Sequence, residues 1–147
     1  LVCWKNGEKI MSISINSKVS DALLPVSDIP VVHAKTLFKE TLEIMGDFRL
    51  GIACLVDEDG KLMGIITDGD IRRKLLKDQK PFAALFANDS IHHANTSPAV
   101  VIVDQPLSEA IELMEKKEIQ DLPVIDKEGK LAGLLHLHTV VKISLGI

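Results

Sequence analysis

The amino-acid sequence predicts an α/β (α+β) fold of two tandem β-α-β-β-α repeats packed with pseudo-twofold symmetry. Three observations lead there. VDEDGKLMGIIT at 56–67 returns as IDKEGKLAGLLH at 125–136, an offset of 69 residues, and at that offset residues 28–76 align with 97–145 without a gap. Eleven of those 49 pairs are identical, against about three or four expected from ordinary residue frequencies. Within each copy, apolar runs of strand length alternate with stretches of helical spacing. A unit of about 60 residues buries too little surface to be stable alone. The copies are therefore expected to pack face to face, leaving a cleft between their sheets with one equivalent half-site per repeat.

Residues 1–17 read as an N-terminal extension, 18–78 as the first repeat, 79–87 as a connector and 88–147 as the second repeat. A short helical lead-in precedes each copy, at 19–24 and about 88–93, and the two match only with a one-residue slip. Val31-Val32 and Val100-Val101-Ile102 are short apolar strands. Leu37, Phe38, Leu42, Ile44 and Met45 then recur at helical spacing, as do Leu107, Ile111, Leu113 and Met114. Pro106 stands where a helix start tolerates it. Segments 53–56 and 122–125 read as fully buried strands. Asp57-Glu58-Asp59-Gly60 and Asp126-Lys127-Glu128-Gly129 reverse the chain into strands at 62–66 and 131–135. A closing helix carries Ile71, Leu75 and Leu76 in the first copy, and Val140, Val141 and Ile143 in the second.

Composition removes several functional classes. Seventeen Lys and Arg against 21 Asp and Glu leave a formal charge of −4, whereas a phosphate backbone needs a concentrated basic surface. Four Phe, one Trp and no Tyr offer little for base stacking, so nucleic acid is excluded as a partner. With 46% apolar residues the chain can build a core and is not disordered. No apolar run approaches the ~20 residues that span a bilayer, and LVCWKNGEKI is interrupted by charge before a signal-peptide apolar region forms. A cytoplasmic protein without membrane contact is expected. The chain begins without Met, as a piece of a longer protein does. Cys3 and Cys54 are too few for a disulfide scaffold, and read as a near-terminal thiol and a small buried hydrophobe.

The chemistry concentrates where the third strand of the first copy runs into a helix, at Gly64-Ile65-Ile66-Thr67-Asp68-Gly69-Asp70. A helix start presents free backbone N–H groups and a positive dipole end to a phosphate. Thr67 offers a hydroxyl, Asp70 an acceptor for paired ribose hydroxyls, and Gly69 close access to the backbone. Thr-x-x-Asp before an apolar helix is equally a capping pattern, and the two roles are compatible. Arg72, Arg73 and Lys74 are either phosphate contacts or a solvated helix face.

The duplicated unit, the Asp-x-x-Gly-Lys-Leu turn, Leu122-Pro123-Val124 and the Gly-h-h-Thr-x-x-Asp run (h apolar) resemble a pair of CBS domains, or Bateman module, over about residues 18–145. The resemblance implies binding of adenine nucleotides or related ligands and control of an attached enzyme or transporter. Thr67-Asp68-Gly69-Asp70-Ile71-Arg72-Arg73 with Leu135-His136-Leu137-His138 is similar to the C-terminal CBS pair of the arabinose-5-phosphate isomerase family, which serves synthesis of Kdo (3-deoxy-D-manno-octulosonate) for lipopolysaccharide and capsule. It implies a covalently attached catalytic sugar-isomerase domain, a homodimer or higher oligomer, and a regulatory nucleotide or sugar nucleotide: AMP, ATP or CMP-Kdo, the activated sugar. No cofactor is required. By position, Thr67 and Asp70 contact sugar hydroxyls and phosphate, and Ile29, Pro30 and Val31 line the base or sugar. The second copy departs from the pattern, with His136 for the Thr and Thr139 for the Asp. It implies a weaker second half-site, or one that takes part of a larger ligand through His136 and His138.

Metal chemistry is disfavoured. Asp68 of Asp68-Gly69-Asp70 has no acidic counterpart in the second copy, and Lys61 breaks any calcium-loop spacing after Asp57. No nucleophile–base or paired-carboxylate arrangement emerges, so the chain is expected not to be an enzyme by itself.

Overall fold

The computed structural model describes residues 3–5, 8–10 and 17–145. In the N-terminal extension, β1 (Cys3–Lys5) and β2 (Glu8–Ile10) form an antiparallel hairpin with Cys3 opposite Ile10. The Cys3 thiol lies outside the described side chains. A 3₁₀ turn at Val19–Asp21 leads to β3 (Leu24–Pro25) and a second turn at Val26–Asp28. The first repeat then runs β4 (Val31–His33), α1 (Phe38–Phe48), β5 (Ile52–Val56), β6 (Leu62–Thr67) and α2 (Asp68–Lys77). A short helix, α3 (Phe82–Phe86), and a 3₁₀ turn at Ser90–His93 lead into β7 (Val101–Ile102), α4 (Leu107–Lys117), β8 (Asp121–Ile125), β9 (Leu131–His136) and α5 (Leu137–Leu145).

The β-α-β-β-α order of both copies agrees with the sequence, and the duplication reaches fine detail. β4 is parallel to β5 and β5 antiparallel to β6, as β7 is to β8 and β8 to β9. Both long hairpins carry a register shift at equivalent places, Leu55/Val56 and Val124/Ile125. Asp57 Oδ1 accepts from the N–H groups of Asp59 and Lys61, and Asp126 Oδ1 from those of Glu128 and Lys130. Gly60 and Gly129 then take φ values of 80° and 84°, where a side chain would be strained. The two turns meet on the pseudo-twofold axis through backbone bonds from Leu62 to Gly129 and from Leu131 to Gly60.

The lead-ins are exchanged between the repeats. Val19 and Ala22, which precede the first copy, are buried in the core of the second with Val101, Leu107, Ala110 and Met114. Ile91 and Ala94 pack into the first core around Phe38, Met45 and Leu55. β3 likewise joins the second sheet beside β9, whereas Asn95 bridges to Ile65 in the first. Backbone bonds from Val19 to Gln105 and from Ser90 to Thr36 set the lead-ins 71 residues apart, a two-residue slip instead of the single residue read from sequence. A third cluster (Ile29, Ile52, Cys54, Ile65 and Leu134) fills the space between the sheets.

Two features go beyond the sequence reading. α2 buries none of its residues, and Leu76 is 73% exposed, because only Ile71 turns toward the first core. The connector contains α3, whose Leu85 is a core residue. Five residues carry too little periodicity to announce a helix.

Candidate functional site

At the junction of β6 and α2, Thr67 caps the helix. Its Oγ1 accepts from the Asp70 N–H at 3.2 Å, and Asp70 Oδ2 accepts from the Thr67 N–H at 3.2 Å. This reciprocal box satisfies two donors left over at the helix start. Asp70 Oδ1 accepts from Arg73 Nη2 at 2.8 Å. The carboxylate is thereby fixed in place while keeping lone pairs for further donors.

Ile65, Thr67, Asp70 and Arg73 form one wall of a cleft of about 410 Å³. The facing wall belongs to the second repeat: Lys117, Ile119, Gln120 and Asp121, where α4 hands over to β8. Asn95, Ser97 and Ala99 close the remaining side. Asn95 is fixed by reciprocal backbone bonds with Ile65 at 2.8 and 2.9 Å. Gly64 permits that approach, since a Cβ there would lie 2.8 Å from the Asn95 oxygen. The size suits a small ligand. Two cations, Arg73 and Lys117, and two carboxylates, Asp70 and Asp121, face the same space.

Asp121 is not alone. Its Oδ1 accepts from His136 Nδ1 at 2.6 Å, across the register position where β8 and β9 pair. The His138 ring meets that of His136 edge-on at 6.3 Å. Ile119 and Gln120 also line a mostly apolar groove of about 430 Å³ between α4 and α5, with Met114, Leu137 and Val141. Between α4 and these two residues stands Glu118 in the left-handed conformation, at φ 54°.

Residues 19–77 and 81–146 each match the CBS domain family. The chain is a tandem CBS domain pair. It is 37% identical over 129 residues to an uncharacterized protein of Helicobacter pylori, covering 87% of this chain and 37% of that protein. A probable arabinose 5-phosphate isomerase of Haemophilus influenzae is 36% identical over 107 residues, covering 73% of this chain and 31% of the relative. The pair thus spans only about a third of these curated relatives. Among solved structures, CBSX2 in complex with AMP superposes with a TM-score of 0.77 at 26% identity, over 88% of this chain and 96% of the other. The Arabidopsis thaliana origin of CBSX2 accompanies a second structure of it, with a TM-score of 0.76 at the same identity, over 88% of this chain and 94% of the other.

The CBS pair gathers some of the residues singled out by sequence and disperses others. Thr67, Asp70 and Arg73 share the cleft. Asp68 turns away: its carboxylate occupies the space that a Cβ on Gly51 would need, at 2.6 Å. Gly69 faces the Arg73 guanidinium, 3.2 Å from where its Cβ would stand, so it makes room for an arginine and not for a ligand. Arg72 is exposed and outside the cleft. Ile29 and Pro30 are buried and, with Val31, do not line this cleft. The cause is topological. β4 lies on the far side of β5 from β6, so the strand start beside Thr67 is the second copy's, at Asn95–Ala99. His136 reaches the cleft only through Asp121, and neither His138 nor Thr139 lines it.

Sequence reasoning passed over Asn95, Ser97, Lys117, Gln120 and Asp121. One signal was present. At the 69-residue offset Asp121 stands opposite Ile52, a carboxylate where the other copy is apolar and buried. Lys117, Gln120 and Asp121 correspond to Phe48, Gly51 and Ile52, so the two half-sites are chemically unequal.

Proposed function

We propose that this CBS pair is the regulatory module of a larger cytoplasmic enzyme and binds a ribonucleotide in the Thr67–Asp70 cleft. The attached activity proposed is arabinose-5-phosphate isomerase, and the ligand AMP, ATP or CMP-Kdo. The cleft itself carries this reading. It joins walls from both repeats, and it places a fixed carboxylate suited to ribose hydroxyls beside two cations suited to phosphate. The AMP complex of CBSX2 supports an adenine nucleotide, and the Haemophilus relative supports the isomerase. A ligand bridging both walls shifts the attached enzyme to the extent that it prefers one arrangement of the repeats.

Calorimetric titration with AMP, ATP, CMP and CMP-Kdo tests the reading. Selective CMP-Kdo binding is the outcome for pathway feedback, and adenylate binding for energy sensing; silence from folded protein overturns it. A second reading, an assembly module, is favoured by the apolar α4–α5 groove, where Leu137 and Val141 are exposed. Charged substitution of Val141 that dissolves an oligomer, in a chain that binds no nucleotide, would select it.

A further inference from the structure

Beside the cleft, between α2 and the Ser90–His93 turn, lies a groove of about 240 Å³ that shares Asp70, Arg73 and Asn95 with it. Its outer part is lined by Lys74, Lys77 and His93. We propose that this groove is a phosphate-chain subsite, so that a nucleoside di- or triphosphate seated in the cleft extends its outer phosphates past Arg73 toward Lys74 and Lys77. The inference rests on the nucleotide reading of the cleft and narrows it to the polyphosphates.

The charges favour this path. Arg73, Lys74 and Lys77 recur over little more than one turn of α2, and Arg73 and Lys77 stand about 6 Å apart along the axis by the helical rise, a spacing over which successive phosphates meet successive cations. The counter-charges are Asp70, which takes Arg73, and Asp78, which takes Lys74 at 2.8 Å. Among the described residues Lys77 forms no ion pair, and the Arg73 side chain is 65% exposed despite its bond to Asp70. His93 lines the groove as a ring packed on Phe38, with centroids 4.4 Å apart. Burial, followed by the nearby Lys74 charge, holds its pKa below the usual imidazole value, so the positive charge of the groove comes from Arg73, Lys74 and Lys77.

Titration of AMP, ADP and ATP, without divalent cations, into the chain and its Lys77→Ala variant tests the subsite. ATP is expected to bind at least tenfold more tightly than AMP, and Lys77→Ala to reduce ATP affinity several-fold while leaving AMP unchanged. Equal affinity for AMP and ATP, or equal loss of both in the variant, overturns the subsite and leaves the cleft intact. If no nucleotide binds, the cleft reading and the subsite fall together.

Discussion

Asp121 and His136 face each other across β8 and β9 at 2.6 Å, and they tie the wall of the open cleft to the position that stands for Thr67 in the second repeat. The carboxylate belongs to one half-site and its partner to the other. A phosphate entering the cleft therefore meets a carboxylate already engaged by an imidazole.

Removing that imidazole frees the charge. His136→Ala is expected to weaken binding of any phosphate-bearing ligand, because an uncompensated Asp121 repels it. Adding Asp121→Asn to His136→Ala should recover most of the loss. A double-mutant cycle by calorimetry measures the coupling, expected at about 1–3 kcal/mol for a hydrogen bond to a charged group. Simple additivity would reject the link.

Asp70 has two roles that one substitution separates. Asp70→Asn keeps an oxygen for the Thr67 N–H, so unfolding free energy should fall by less than about 1 kcal/mol, whereas Thr67→Ala removes the cap and costs about 0.5–2 kcal/mol. Ribonucleotide affinity in Asp70→Asn should nonetheless drop by about 1–3 kcal/mol. Denaturation and calorimetry on the same samples read both.

The first core holds a buried polar pair, Thr41 and Ser90, that has no counterpart in the second among the described residues. Ser90 Oγ donates to the Thr36 carbonyl at 2.7 Å, which leaves Thr41 Oγ1 to donate to Ser90 at 2.6 Å. Ser90→Ala strands the Thr41 hydroxyl and should destabilise by about 1–3 kcal/mol. The double variant Thr41→Ala with Ser90→Val copies the second core, where Ala110 and Val19 stand at those places. It should be more stable than Ser90→Ala in urea unfolding.

Burial first, and then the Asp121 charge, push the Cys54 thiol from 9.0 up to about 12. The folded chain keeps a proton that the unfolded chain loses, so this contribution to stability is complete below pH 9 and is lost as pH rises through 12. In a Cys3→Ser background, thiol reagents at pH 8 should label Cys54 only as fast as the chain opens. Prompt labelling of the native protein would contradict its burial.

Much of this was legible in the sequence because the physics is local. The Asp57 and Asp126 turns follow from side chains bonding the backbone two and four residues ahead, and the Thr67–Asp70 box from contacts three residues apart. What was not legible is non-local. No property of Val19 says that it will enter the core of the repeat beginning some 70 residues later. Nor does Ile29-Pro30-Val31 reveal that β5 stands between it and Thr67. Thr67 and Asp70 line the cleft, whereas the strand start beside them is Asn95–Ala99 of the second copy. Leu76 shows the other limit, since an apolar residue at helical spacing need not be covered.

The crossed lead-ins make the repeats interlaced. Each hydrophobic centre is completed by a segment threaded from beyond the other's boundary, Val19 and Ala22 in one direction and Ile91 and Ala94 in the other. Cutting the chain in the connector would leave two halves that each carry a segment the other needs. The halves cannot drift apart like beads on a string without first unlacing Val19 and Ile91 from their seats. Separating the repeats therefore uncovers part of both hydrophobic centres at once.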